Sequence, residues 1–201
     1  MINLFLSASV PLPGRNKMWL ETADIIAIRD SIKALVEVAL SEAELVFGGH
    51  PAITPLIALL LRSAPPQQRK RVILFQSQWF KPEFVKENSE FIDFRLIPAG
   101  PDLDTSLRNL RQAMLQSKQF DAAFFIGGME GSRLEYDAFR GLHPHAACYP
   151  IASTGAAALR LYRDTEEKRR DLLDELTYPT LFRRLLAEIK EKKNSAPRFM
   201  Q

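Results

Sequence analysis

The feature that most constrains this chain is an alternation. Six short apolar runs, Ile2 to Ala8, Glu44 to Phe47, Val72 to Phe75, Phe91 to Ile97, Ala122 to Ile126 and Ala147 to Ile151, are separated by segments with apolar residues at helical spacing. Parallel strands need crossover connections, and helices of 10 to 15 residues are the usual ones. The pattern therefore predicts an α/β fold, a Rossmann-like three-layer sandwich with a mainly parallel sheet, plus C-terminal helices. Ile2 to Ala8 is apolar at successive positions, which predicts a strand buried on both faces and central in the sheet.

The helical segments carry start signals. Asp24 precedes Ile25, Ile28, Ile32, Leu35, Val36 and Ala39, and reads as an N-cap. Thr54-Pro55 offers a cap and a Pro for Leu56 to Arg62, and Asp104 is read as the cap of a helix carrying Leu107, Leu110 and Met114. A short helix is expected from Ser132 to Phe139, another opens at Ser153-Thr154-Gly155, and two charged helices follow around Glu166 to Leu176 and Thr180 to Lys193. No repeat or linker divides the chain. The expected organisation is a nucleotide-binding domain over residues 1–163, C-terminal helices over 164–193 packed on it or forming an oligomer interface, and a frayed tail over 194–201.

Charge and cysteine content narrow the function classes. The chain has 27 Lys/Arg against 24 Asp/Glu; eleven of these bases and eight of the acids lie from Arg160 onward, so residues 1–159 are balanced at sixteen each. Acids and bases alternate through Asp164 to Asp171 rather than forming a basic stripe, which argues against nucleic-acid binding. One cysteine, Cys148, excludes an internal disulfide and a Cys-based zinc site; it reads as core packing within a strand. No metal site and no cofactor is expected. The longest aliphatic run, Leu56 to Leu61, is far short of the ~18 residues that span a bilayer, and the N-terminus lacks a basic region before its apolar stretch, so a cytoplasmic protein without membrane contact is expected.

Candidate chemistry lies at the strand ends. Ser7-Ala8-Ser9, Gly48-Gly49-His50 with Thr54, Gly127-Gly128-Met129-Glu130-Gly131-Ser132, and Ser153-Thr154-Gly155 all follow strands, and in a parallel sheet these ends share one edge. Glycines permit close backbone approach, and helix N-termini offer N–H groups to phosphate, which together suit a nucleotide. Equally, such loops make ordinary strand-to-helix turns. The chain contains neither a Walker-type phosphate loop nor G-x-G-x-x-G after the first strand. Glu130 and Glu135 form a candidate carboxylate pair for glycosidic chemistry; the alternative is a solvated Glu130 and a Glu135 that favours its helix N-terminus. His50 reads either as a base or phosphate contact or as a turn residue. His143 and His145 flank Pro144 and read as surface residues. Trp79, Phe80 and Phe84 are read as cover for the sheet face, with stacking on a nucleobase as the alternative. Ser7, Ser9, Ser153 and Thr154 have no base at a spacing that would activate them, so acyl transfer is not indicated.

Leu110-Arg-Gln-Ala-Met114 together with Asp121 to Glu135 resembles the helix, strand and P-G-G-x-G-T-x-x-E loop of LOG-type phosphoribohydrolases. Leu4 to Pro11, Val46 to Pro55 and Pro150 to Gly155 resemble the wider SLOG superfamily (Smf/DprA–LOG), and within it the bacterial conflict-system branch. The resemblance covers about residues 2–163. It implies a sensor or regulatory domain for a nucleotide-derived, ADP-ribose-like molecule in antiphage defence, a homo-oligomer, and an effector partner such as a TIR-domain protein. The alternative it implies is an N-glycosidic-bond hydrolase with Glu135 as its catalytic carboxylate; a DNA-binding or structural module is a further alternative. The chain departs from the hydrolase pattern in three ways: Ile126 stands in place of the motif Pro, Met129-Glu130 lengthens the loop by one residue, and Leu110 stands where the hydrolases have Arg, with Arg108 and Arg111 as displaced substitutes. The expectation is binding without efficient turnover.

Overall fold

A computed structural model describes residues 1–14, 17–166 and 168–195. In chain order it contains β1 Ile2–Ser9, α1 Lys17–Leu20, α2 Ile25–Ala39, β2 Ala43–Gly48, α3 Thr54–Arg62, α4 Pro66–Arg69, β3 Val72–Ser77, β4 Asp93–Ile97, α5 Leu103–Gln116, β5 Ala122–Gly127, α6 Glu130–Leu142, β6 Ala147–Ile151, α7 Ala156–Asp164, α8 Arg170–Asp174 and α9 Tyr178–Ser195. Short 3₁₀ turns occupy Gln78–Glu83, Lys86–Glu90 and Ala152–Thr154. The six strands form one sheet in the order β4-β3-β2-β1-β5-β6, and every pairing is parallel. β1 is interior, as its two apolar faces require.

Strand alternation sorts the core into two layers. Leu4 and Leu6 of β1 join Leu45, Phe47, Phe124 and Ile126 beneath α2, α3 and α9. Phe5 faces the other way, with Val46, Phe125 and the inward residues Leu110, Met114 and Phe139 of α5 and α6. Phe5 stacks on Phe139 with ring centres 5.8 Å apart.

Several local expectations need correction. The fourth strand begins at Asp93; Phe91 lies before it as a buried anchor 5.6 Å from the Phe47 ring. The α5 cap is Asp102, whose carboxylate accepts the Thr105 N–H at 2.7 Å, while Asp104 falls in the first turn. α3 starts at Thr54, with Ile53 at the cap position. Of the helix expected around Glu166 to Leu176, the described residues show α8 over Arg170–Asp174, with residue 167 outside them; Arg169, just before α8, is held by Asp171 and Glu188 over the Tyr149 ring. His143 is 8% exposed rather than a surface residue; its Nε2 lies 2.8 Å from the Leu115 carbonyl and its ring packs on Phe120 and Phe139.

The C-terminal helices fold back on the sheet. Leu172, Leu181, Phe182, Leu185, Leu186 and Ile189 are buried in the α2-side core, and Phe182 meets Phe124 edge-on at 5.4 Å. Lys193 then bonds the Met1 carbonyl and the Asp121 carboxylate, both at 2.8 Å, tying the end of α9 to the start of β1. The apolar stripe expected to serve an oligomer is thus largely covered within the chain, leaving Leu173 and Leu176 exposed. Of the tail expected over 194–201, Asn194 and Ser195 complete α9, and 196–201 lie outside the described residues. Among the described residues, no helix is long and apolar enough to cross a membrane.

Candidate ligand site at the strand carboxyl edge

The chain runs outward from β1 through β2 and β3 to β4, then returns to β5 on the other side of β1. Strand order therefore reverses between β1 and β5, and the crevice beyond their carboxyl ends is where a sheet of this kind binds ligands. Ser9 pairs in register with Gly127, and the Gly128 N–H donates to the Ser9 carbonyl at 2.9 Å. Gly127 and Gly128 adopt φ values of +60° and +90°, a region that favours glycine. A methyl group on Gly127 would lie 2.8 Å from the Ser9 oxygen, and one on Gly128 would lie 2.4 Å from Ser132 Oγ. Two adjacent glycines thus let bare backbone turn from β5 into α6.

The cap residue of α6, Met129, makes no side-chain capping bond; Ser132 is buried beneath the turn, and the Gly131 Cα faces open space. Glu130 is exposed in the first turn. Five residues of helix place Glu130 and Glu135 about 140° apart around the axis, so the two carboxylates do not converge.

Glu135 faces the sheet side. Burial is the largest influence on its carboxyl and pushes the pKa up; the Ser7 hydroxyl and the positive charge of Arg111 act the other way. Ser7, on the same face of β1 as Phe5, is buried and its hydroxyl has no regular hydrogen-bond partner; the Arg111 Nε is also buried without one. Such groups are normally paired. Leu110, the residue at the motif position, points into the core beside Met114. Arg111, one residue later, is the cation whose charge acts on Glu135. A groove of about 440 Å³ runs between α5 and α6 past Arg108 and Arg111. A smaller hollow lies between the far end of α2 and α9, away from this edge.

The remaining loop residues serve the framework. The His50 N–H donates to Thr54 Oγ1 at 3.0 Å, the His50 carbonyl accepts from Ile53 and Thr54, and Thr54 is fully buried. A methyl on Gly48 would sit 3.1 Å from the Met114 sulfur, and one on Gly49 would sit 2.2 Å from Gln76 Nε2. Thr154 Oγ1 donates to the Ile151 carbonyl at 2.6 Å and accepts the Gly127 N–H at 2.9 Å. Ser153 Oγ lies 3.1 Å from the Tyr178 hydroxyl. Gly155 is wedged against the Thr22 backbone, and the first N–H of α7, from Ala156, donates to Thr22 Oγ1 at 3.0 Å. Ala8 is half-buried behind Ser9. The loops after β2 and β6 thus satisfy their own polar groups, whereas Ser7, the Gly127 to Ser132 turn, Glu135 and Arg111 meet at the switch point. Burial pushes the Cys148 thiol up to about 12, which disfavours the thiolate.

A six-stranded parallel sheet with helices on both faces and a glycine turn at its switch point defines a Rossmann-like α/β protein. More particularly, the chain belongs to the SLOG cluster3 family, whose model matches residues 18–186 and so reaches through α7 and α8 into α9. Membership supports a nucleotide-related function in general. Comparison with curated proteins and with solved structures gives no match.

Proposed function

We propose that this protein binds a nucleotide-derived small molecule of the ADP-ribose type at the β1/β5 crevice and works as a sensor or regulatory domain in bacterial antiphage defence. The observation that carries the binding reading is the meeting of an uncapped α6 N-terminus, a two-glycine turn and the under-partnered Ser7 and Arg111 at the switch point. Phosphate is favoured at a helix N-terminus by the free N–H groups and the helix dipole, and Arg111 adds a full charge. Glu135 suits ribose hydroxyls, which donate to a carboxylate. The defence setting, an effector such as a TIR-domain protein and self-association rest on the resemblance to the conflict-system branch. The test is a thermal-shift series against nucleotides, ADP-ribose and cyclic ADP-ribose compounds. A binder stabilises by RT ln(1 + [L]/Kd). Absence of a shift with every phosphate-bearing compound at millimolar concentration sinks the reading.

A second reading, cleavage of an N-glycosidic bond, is favoured by one finding: Glu135 and Arg111 act on one another despite the altered motif. A carboxyl and a cation already in place are the groups such a transition state needs.

A further inference from the structure

β4 is an outer strand of the sheet, bonded to β3 on one side. It contains no buried residue, whereas each of the other five strands does. Strand alternation sends Phe94 to the α3 side of the sheet, where its ring meets Phe84, and Arg95 to the α5 side, where its guanidinium lies 5.3 Å from the centre of the Phe75 ring. Asp93 and Arg95 therefore share the α5 face, and they form a two-bonded ion pair at 2.9 and 3.0 Å that stays partly exposed. Ile92, just before the strand, and Leu96 within it are 47% and 43% exposed. An outer strand offers backbone N–H and C=O groups to another strand unless charge, proline or a covering segment prevents it. The opposite outer strand, β6, contains Pro150, which has no N–H to offer, and has its Tyr149 beneath Arg169. β4 has no proline, and among the described residues no segment other than β3 makes a backbone bond to it.

We propose that β4 is the surface through which two copies of this chain associate, edge to edge and antiparallel, joining their sheets into one. This rests on the self-association proposed above and gives it a face. The strand is complementary to itself. A two-fold pair of antiparallel strands sets one residue against its own copy, and with Phe94 at that centre Asp93 lies opposite Arg95 of the second copy and Arg95 opposite its Asp93. The ion pair within each strand runs along the same face, so the four charges alternate in sign. On the α3 face Phe94 meets its counterpart, and the exposed Ile92 comes level with the exposed Leu96 of the second copy at both ends. Opposite charges and apolar side chains facing one another across strands stabilise the pairing, and like charges oppose it. Centring the pair on Asp93 or on Arg95 instead would set like charges face to face, so Phe94 is the centre that the charges select. Charges that deter a foreign strand thus favour a second copy in this one register.

The test is sedimentation velocity on the full chain up to about 500 µM, because a short strand edge buries little area and binds weakly. Wild type is expected to dimerise. Arg95→Asp sets acids against acids and Asp93→Arg sets bases against bases, so each variant alone should dimerise at least about tenfold more weakly. Mixed in equal amounts, the two variants restore every pair of opposite charges and should dimerise about as well as wild type. The pair they replace is partly exposed, so both variants are expected to fold. A second readout needs no variant: in wild type, amide hydrogen exchange over residues 93–97 should slow as concentration rises. A wild-type dimer that survives both single variants, a mixture no better than either variant alone, or exchange in β4 that ignores concentration in a dimerising sample overturns this face and leaves self-association standing. Wild type that stays monomeric throughout overturns self-association and this proposal together.

Discussion

The Thr154 hydroxyl accepts the N–H of Gly127 at 2.9 Å, and so fastens the glycine turn of the crevice to the loop beyond β6. Both groups are buried, and the same hydroxyl donates to Ile151. Thr154→Val keeps the shape and strands the Gly127 N–H. A loss of about 1–3 kcal/mol is expected in urea unfolding, with Thr154→Ser much closer to wild type. Equal stability of the valine variant would show that the turn is held by backbone contacts alone.

Gly155 has φ +72° and ψ −154°, a combination almost confined to glycine, and a Cβ there would lie 1.7 Å from the Thr22 carbonyl oxygen. Because the obstacle is backbone, Gly155→Ala should destabilise the chain more than any other single glycine substitution in the loops. Gly128→Asp, by contrast, is expected to abolish nucleotide binding, since it sets a side chain and a negative charge where phosphate approaches the α6 N-terminus. Thermal melting with and without ligand separates the two effects.

Glu135 yields a pH prediction. Its carboxyl holds a proton more tightly in the folded than in the unfolded chain, because burial opposes the charge. While both states are protonated the group costs nothing. As pH rises above the ordinary glutamate value the unfolded state ionises first, stability falls, and the loss levels off once pH passes the raised folded value. Glu135→Gln should therefore melt higher than wild type at neutral pH and converge with it in acid. A glutamine variant less stable than wild type at neutral pH would mean that Ser7 and Arg111 outweigh burial.

Turnover is tested by incubating the protein with AMP, NAD and ADP-ribose and following free base by chromatography. The sensor reading expects none, with Glu135→Ala weakening affinity by ~1–3 kcal/mol through lost hydrogen bonds. Base release that disappears in both Glu135→Ala and Arg111→Leu would establish the hydrolase instead.

Phe182 is fully buried between Tyr178 and Phe124. Phe182→Ala should cost about 3–5 kcal/mol, as removal of a core aromatic does. Light scattering at micromolar concentration measures the self-association proposed above. With the α9 stripe covered within the chain, any dimer must use another face.

Much of the fold was legible because strand and helix periods are local properties. The six apolar runs became the six strands, and Asp24 caps α2 as its position suggests. The cap of α5 was misplaced because Asp102 and Asp104 are chemically equivalent, and only backbone geometry selects the one that reaches Thr105. His143 was misread because Pro144 beside it signals a loop, while its burial depends on Phe120 and Phe139 from elsewhere in the chain.

The site divides along the same line. The paired glycines of the β5 loop signal a tight turn by themselves, and Gly127 and Gly128 do take positive φ values that favour glycine. The sequence named Arg111 only as one of two displaced substitutes and left the Glu130–Glu135 pair open, whereas the fold sets Ser7 and Arg111 to act on Glu135 and leaves Glu130 exposed. Those relationships arise where α5, α6 and β1 meet across long stretches of chain. The sequence by itself determined the parallel α/β architecture and the sheet edge on which the glycine-rich loops gather, because hydrophobic period and glycine conformation are encoded residue by residue. Only the tertiary structure decided which polar groups are left buried and unpaired, because burial and pairing belong to contacts between distant segments.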